Sequence, residues 1–210
     1  EFRRVLFRSK IIKCQFGYSA NIFRYGMQRM KNIKFHVLII FLICPIFAKD
    51  IYFTRSGTIS FYSSALIEDI EAVNKQVTCV LDMGTGEVAF RVPIPGFTFK
   101  NRLMQEHFNE NYLESEKYPH ASFKGNIDVW DSINLSNEPQ KVTLTGMMNI
   151  HGVSHEIKDT GMISKIDGQI RGSAKFNINV ADYEIEIPKI LRDNIAKIVD
   201  VTVNLNLKKK

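Results

Sequence analysis

The sequence predicts a mainly β domain of about eight or nine antiparallel strands with one amphipathic helix. Three observations carry that prediction. Apolar and polar residues alternate through segment after segment, which is the period of a half-buried strand. Short turns such as 82–86, His151-Gly152 and Asp167-Gly168 separate those segments. Within residues 97–125 the pattern switches, once, to helical spacing.

The first 48 residues are expected to lie outside the domain. The earliest methionines are Met27 and Met30, so residues 1–26 read as non-native upstream translation. Residues 27–48 read as a signal peptide. Lys31 and Lys34 form its positive region, 37–43 its apolar run, and Ala48 the last residue removed. The apolar run is shorter than the ~20 residues of a spanning helix. Cys44 invites a lipoprotein reading, but bulky Ile43 stands where a small residue normally precedes a lipidated cysteine. The expectation is an exported, periplasmic domain over 49–210.

That division changes the charge argument. The chain has 28 basic and 22 acidic side chains, of which residues 1–48 hold 9 and 1. The remainder carries 19 and 21, a net of −2, so no basic nucleic-acid footprint survives. Cys79 is the one cysteine left, which excludes an internal disulfide in the domain. Its alternation with Val77 and Leu81 reads as a buried, inert thiol.

The strands follow in order. Ile51 and Phe53 mark a short one, then Ile59 and Phe61 a first full one. Val73, Val77, Cys79 and Leu81 mark the next. Val88, Phe90, Val92 and Ile94 return after the 82–86 turn, with Pro93 demanding an exposed or bulged edge. After the helix come Phe123, Ile127 and Val129, then Val142, Leu144, Met148 and Ile150 with Gly146 in register. Val153, Ile157 and Ile163 follow. Ile170, Ala174, Phe176, Ile178 and Val180 form the cleanest strand, and Val199 to Leu207 close the chain. Their opposite faces are polar. A sandwich and a barrel both fit.

The helix should begin at Asn101, whose side chain can cap a free N–H of the first turn. Leu103, Met104, His107, Phe108 and Tyr112 fall on one face. Tyr118-Pro119 then forces extended backbone. A lone amphipathic helix must lie against the sheet.

The segments H-F-N-E-N-Y-L, K-Y-P-H-A-S-F-K-G and L-T-G-M-M-N-I-H-G-V-S-H-E-I resemble the YceI-like, polyisoprenoid-binding family. The likeness runs from about Phe53 onward. It implies an extended, lipocalin-like antiparallel β-barrel of about eight strands and an elongated apolar ligand, and it tips the choice from sandwich to barrel. Phe90, Phe97, Phe99, Leu103, Met104, Phe108, Tyr112, Phe123, Leu144, Met148 and Phe176 are then the candidate wall of the ligand pocket. The residues alone leave open whether this interior is hollow or filled.

Polar constellations are few. His151, His155 and Glu156 suggest a metal, but the order differs from H-E-x-x-H and surrounds a turn. Four residues apart on one strand means ~13 Å, too far to share an ion. His151 reads as a turn histidine bonding backbone. His155 and Asp159 share parity with Val153 and Ile157. Either they are polar contacts for a ligand, or a bulge turns one outward, the reading favoured here. His107 reads as a packed histidine bonded to a carbonyl. No Gly-x-Ser-x-Gly elbow, phosphate loop or Cys-x-x-Cys is present. The expectation is a non-enzymatic carrier of a long apolar lipid, with no metal, cofactor or nucleic acid. The alternatives are a lipid-directed enzyme using His155, Asp159 or His107, and a partner-binding barrel with a filled core.

Overall fold

The computed structural model describes residues 49–64, 69–187 and 197–210, and the expected leader and upstream segment lie outside them. β1 (Ile51–Ser63) runs without a break. The short and the full strand expected there are therefore one, with its register shifted between Thr54 and Ile59. That shift explains the misreading: Tyr52 and Thr54 are buried before it, Gly57 and Ser63 after it, on opposite parities.

β2 (Ile70–Asp82) carries the matching irregularity between Asn74 and Val77. Ala72 and Asn74, not Val73, therefore share the buried face with Val77, Cys79 and Leu81. Burial pushes the Cys79 thiol up to about 12. Native protein at pH 8 should resist iodoacetamide for hours and react in denaturant; rapid native labelling would contradict this packing.

Residues 82–86 turn the chain into β3 (Glu87–Pro93). The Asp82 carboxylate accepts the Gly84 N–H at 2.9 Å, and Gly86 supplies φ of 72°. Pro93 ends the strand rather than interrupting it, and Ile94 belongs to a 3-10 turn, Ile94–Gly96. β4 is only Thr98–Phe99. Asn101 caps α1 (Arg102–His107) as expected, accepting the Leu103 N–H at 2.9 Å. The helix then widens into a π-turn, Phe108–Tyr112, with the Leu113 N–H donating to the Phe108 carbonyl at 2.9 Å.

β5 (His120–Ile127) stops before Val129. Val129 was expected in the strand but takes φ of 55° and is 75% exposed. The reversal lays Trp130 over Gly86, where an added Cβ would come within 2.6 Å of the indole. The indole N–H donates to the Met83 carbonyl at 2.8 Å.

β6 (Gln140–Ile150), β7 (Val153–Ile166) and β8 (Gln169–Asn179) are joined by two-residue turns. Both residues of each have positive φ: His151 and Gly152, Asp167 and Gly168. That backbone twist matches a tight antiparallel hairpin. Val180, expected in the strand, opens a 3-10 turn, Val180–Tyr183, and β9 (Ile198–Lys209) completes the sheet.

All strand pairs are antiparallel, and successive ring strands are neighbours. β1 pairs with both β2 and β9, so eight strands close into an up-and-down barrel, while β4 takes the edge of β2 that β3 leaves free at residues 72–73. Closure pairs every ring strand on both sides over at least part of its length, which limits the exposed edge.

Two apolar clusters divide the interior. One lies toward the 82–86 hairpin and contains Tyr52, Leu81, Phe123, Ile127, Ile170 and Leu207. The other lies toward α1 and contains Ala72, Val77, Val92, Ile94, Phe97 and Ile150.

Candidate functional site

The α1 half of the barrel is hollow. A cavity of about 360 Å³ is walled by strand residues such as Ile59, Val92, Ile150 and Val201 and by Met104, Phe108 and Tyr112 from the helical segment. It continues into a second void of about 120 Å³, the two sharing Ile59, Val92, Ala121, Ile150 and Ile178. A third, of about 60 Å³, adjoins the second at Phe90, Leu144, Ala174 and Val203. The third void lies within the packed cluster itself, walled by Leu81, Val88, Ile127, Ile163, Ile170 and Leu207, and Trp130 packs against that cluster. Whether the interior is hollow or filled thus has a divided answer: hollow toward α1, packed toward the 82–86 hairpin.

The expected wall residues separate between these voids. Phe97, Phe99, Met104, Phe108 and Tyr112 line the large cavity. Phe90, Phe123, Leu144, Met148 and Phe176 line the second. Leu103 lines neither and is 56% exposed, which corrects its place on the apolar stripe. The reason is angular. Neighbours on a helix diverge by about 100°, and six residues give too little length for both Leu103 and Met104 to face the barrel.

Phe61 was not singled out, yet it holds the wall together. Its ring lies 5.4 Å from Phe97, 5.8 Å from Phe99 and 5.5 Å from Phe108. Phe108 in turn lies 5.4 Å from Phe97 and 5.0 Å from Phe99. Four of these pairs are tilted or edge-on, and Phe61 stacks on Phe108 at 24°. The period-2 run Gly57-x-Ile59-x-Phe61-x-Ser63 was the available signal. Ile178, Val199 and Val201 could have been found the same way.

Phe108 is only half-buried and borders the void. Phe108→Ala should therefore cost the delipidated protein less than the ~3–5 kcal/mol of a core Phe truncation. Any stabilisation by added polyprenyl lipid should shrink as well, since a ligand selective for the folded state raises Tm. Melting curves of parent and variant, with and without lipid, check this. An identical lipid-induced shift removes Phe108 from the site.

The large cavity has few polar groups: Ser63, His107 and Tyr112. Burial pushes the Tyr112 hydroxyl up, keeping it neutral. His107 makes no hydrogen bond among the described residues, so the expected carbonyl contact is absent and no hydroxyl is held against its ring for activation. Among the described residues, no group of three or more His, Cys, Asp or Glu could hold a metal ion.

His155 and Asp159 part company. The β6–β7 register is continuous, with Met148 opposite His155 and Leu144 opposite Asp159, so the favoured bulge is not there. His155 is nevertheless exposed, and its Nε2 donates to the Asp182 carbonyl at 2.6 Å. Asp159 lines the second void and accepts the Thr160 N–H at 2.7 Å. His151 bonds backbone as a turn histidine would: Nδ1 is 3.2 Å from the Tyr183 carbonyl, and Nε2 is 2.8 Å from the Glu114 carboxylate. The sequence also suggests a loop near 187–195 as a second flank that helps shield the chain; Ile187 lines the large cavity, and 188–195 lie outside the described residues.

This geometry can enclose an extended apolar chain and offers it little polar contact. Residues 53–207 match the YceI-like domain family. No curated protein matches the chain. Among solved structures, a polyisoprenoid binding domain from Saccharophagus degradans superposes with a TM-score of 0.68 at 16% identity, covering 78% of this chain and 100% of its own. Burkholderia cenocepacia BcnA gives 0.60 at 14% identity, covering 71% and 95%. A Campylobacter jejuni YCEI protein gives 0.50 at 17%, covering 70% and 88%. At such identities the likeness is one of fold.

Proposed function

The chain belongs to the YceI-like domain family, and on that premise we propose that it is an exported, non-enzymatic protein that sequesters or carries a long apolar chain of polyisoprenoid type. The observation that carries this reading is the apolar cavity of about 360 Å³, continued along the barrel by the second void. Each methylene transferred into such a space contributes about 0.8 kcal/mol. The Saccharophagus degradans neighbour, a polyisoprenoid binding domain, supports the ligand class. Export rests on the leader pattern of residues 27–48.

Native mass spectrometry of protein purified from its own envelope tests both parts. The expected result is a chain starting at Lys49 or Asp50 that carries one lipid-sized adduct, released by organic extraction. An intact leader, or a lipid on Cys44, overturns periplasmic release. A bare protein that also refuses added polyprenyl lipid overturns the carrier reading.

A further inference from the structure

The barrel wall is interrupted where β7 meets β8. Their pairing runs from Ile166 opposite Gln169 to Gly161 opposite Ala174 and stops there. Both strands continue, β7 back to Val153 and β8 on to Asn179. Residues 153–160 and 175–179 thus face each other without ladder pairing, although β7 stays paired to β6 and β8 to β9.

A comparison within the molecule shows what a sealed gap looks like. β2 and β3 also pair over only part of their length, 78–81 with 88–91. There Asn74 is wholly buried, donates to the Pro93 carbonyl at 2.7 Å and accepts the Gln76 N–H at 2.7 Å, beside the Ile94–Gly96 turn. Among the described residues the buried Tyr183 closes the far end of the β7–β8 gap, its ring 5.2 Å from that of His155; nearer the ladder no such plug fills the gap. The second void lies against it, with Ile157, Asp159 and Thr160 on one side and Ala174, Phe176 and Ile178 on the other. Where the ladder stops, the Asp159 carboxylate meets the Thr160 N–H. At its far end the gap is spanned by side chain to backbone contacts: His155 to the Asp182 carbonyl and His151 to the Tyr183 carbonyl.

The geometry points to this interruption as a lateral portal through which an apolar chain passes between solvent or membrane and the barrel interior, with the His155–Asp182 contact as its latch. The inference rests on the carrier reading above and adds its route. A chain sliding sideways between two strand edges keeps Ile157, Phe176 and Ile178 against it throughout. A latch of an exposed imidazole on a carbonyl opens far more readily than a strand ladder, whose bonds break together.

The test bridges the gap. Lys158→Cys with Asn177→Cys places thiols on exposed residues facing each other across it if the β7–β8 register is continued. Cys79 is buried and does not compete. A short bis-maleimide joins the pair; the same linker on Arg171→Cys with Asn206→Cys, already neighbours on paired strands, is the control. Uptake and release of anthraniloyl-labelled geranylgeraniol are followed by stopped flow, each linked protein against its unlinked form. The expected result is uptake and release both slowed more than tenfold across the gap, Kd within twofold, and no change in the control. Unchanged rates in the bridged protein overturn the portal and send the chain through the α1 end. His155→Ala should speed both rates at least threefold at constant Kd; unchanged rates overturn the latch. Lack of probe binding by the unlinked parent overturns the carrier reading and this proposal with it.

Discussion

Ala121→Trp should weaken binding of a long polyprenyl chain about fifty-fold while the barrel stays folded. Ala121 stands where the two larger voids join, opposite Val92 in the β3–β5 ladder. A small residue there keeps the passage open. An indole would project into empty space and occupy the path of the chain. If it displaces three methylenes, the lost burial is about 2.4 kcal/mol, which corresponds to about fifty-fold in Kd. Inserting bulk into a filled core does something else: it forces strained rotamers and typically costs 1–3 kcal/mol of stability. A fluorescence titration with labelled geranylgeraniol, paired with urea melts, separates the two. Unchanged affinity together with a destabilisation of that size would mean that the chain is not held at this junction.

The strands were legible because a barrel wall has one wet and one dry face, so period 2 survives in the sequence wherever the register is regular. Val142, Leu144, Met148 and Ile150 were placed correctly for that reason. The reading slipped where geometry departs from the period. The shifts between Thr54 and Ile59 and between Asn74 and Val77 reverse parity without a local marker. Asn74 is polar and yet wholly buried, because its amide can satisfy backbone where β2 leaves β3. Val129 looked like a strand residue because apolarity cannot report a left-handed backbone.

The site was legible in its composition but not in its hollowness. Ten of the eleven expected wall residues border one of the two larger voids, Leu103 being the exception. A void has no residue of its own, however; it depends on how far opposite strands stand apart, which no single segment encodes. The β7–β8 interruption was invisible for a similar reason. His155 and Asp159 hinted at it as polar residues at inward positions, yet a bulge would explain the same pattern. Only the continuous β6–β7 register decides between them.

Gly146→Val should cost about 3 kcal/mol or more, while Gly172→Ala should be neutral or slightly stabilising. Gly146 pairs with Gly125 across β5 and β6. A Cβ on Gly146 would come within 2.4 Å of both the Gly125 Cα and the Lys124 carbonyl oxygen. These are backbone atoms of a paired strand and cannot swing aside. A Cβ on Gly125 would also come within 2.8 Å of the Phe123 ring, which lies across the glycine pair and belongs to the packed cluster. A side chain at 146 must therefore part the two strands or expel that ring, so ladder bonds and core packing fail together. At Gly172 the nearest atom to an added Cβ is 3.7 Å away, an ordinary contact, and its φ is not left-handed. There alanine mainly restricts the unfolded chain. With urea slopes of about 1–3 kcal/mol per M, the valine variant should lose at least about 1 M in midpoint. Comparable midpoints for the two variants would show that the close approach of β5 and β6 is not what the glycine pair provides.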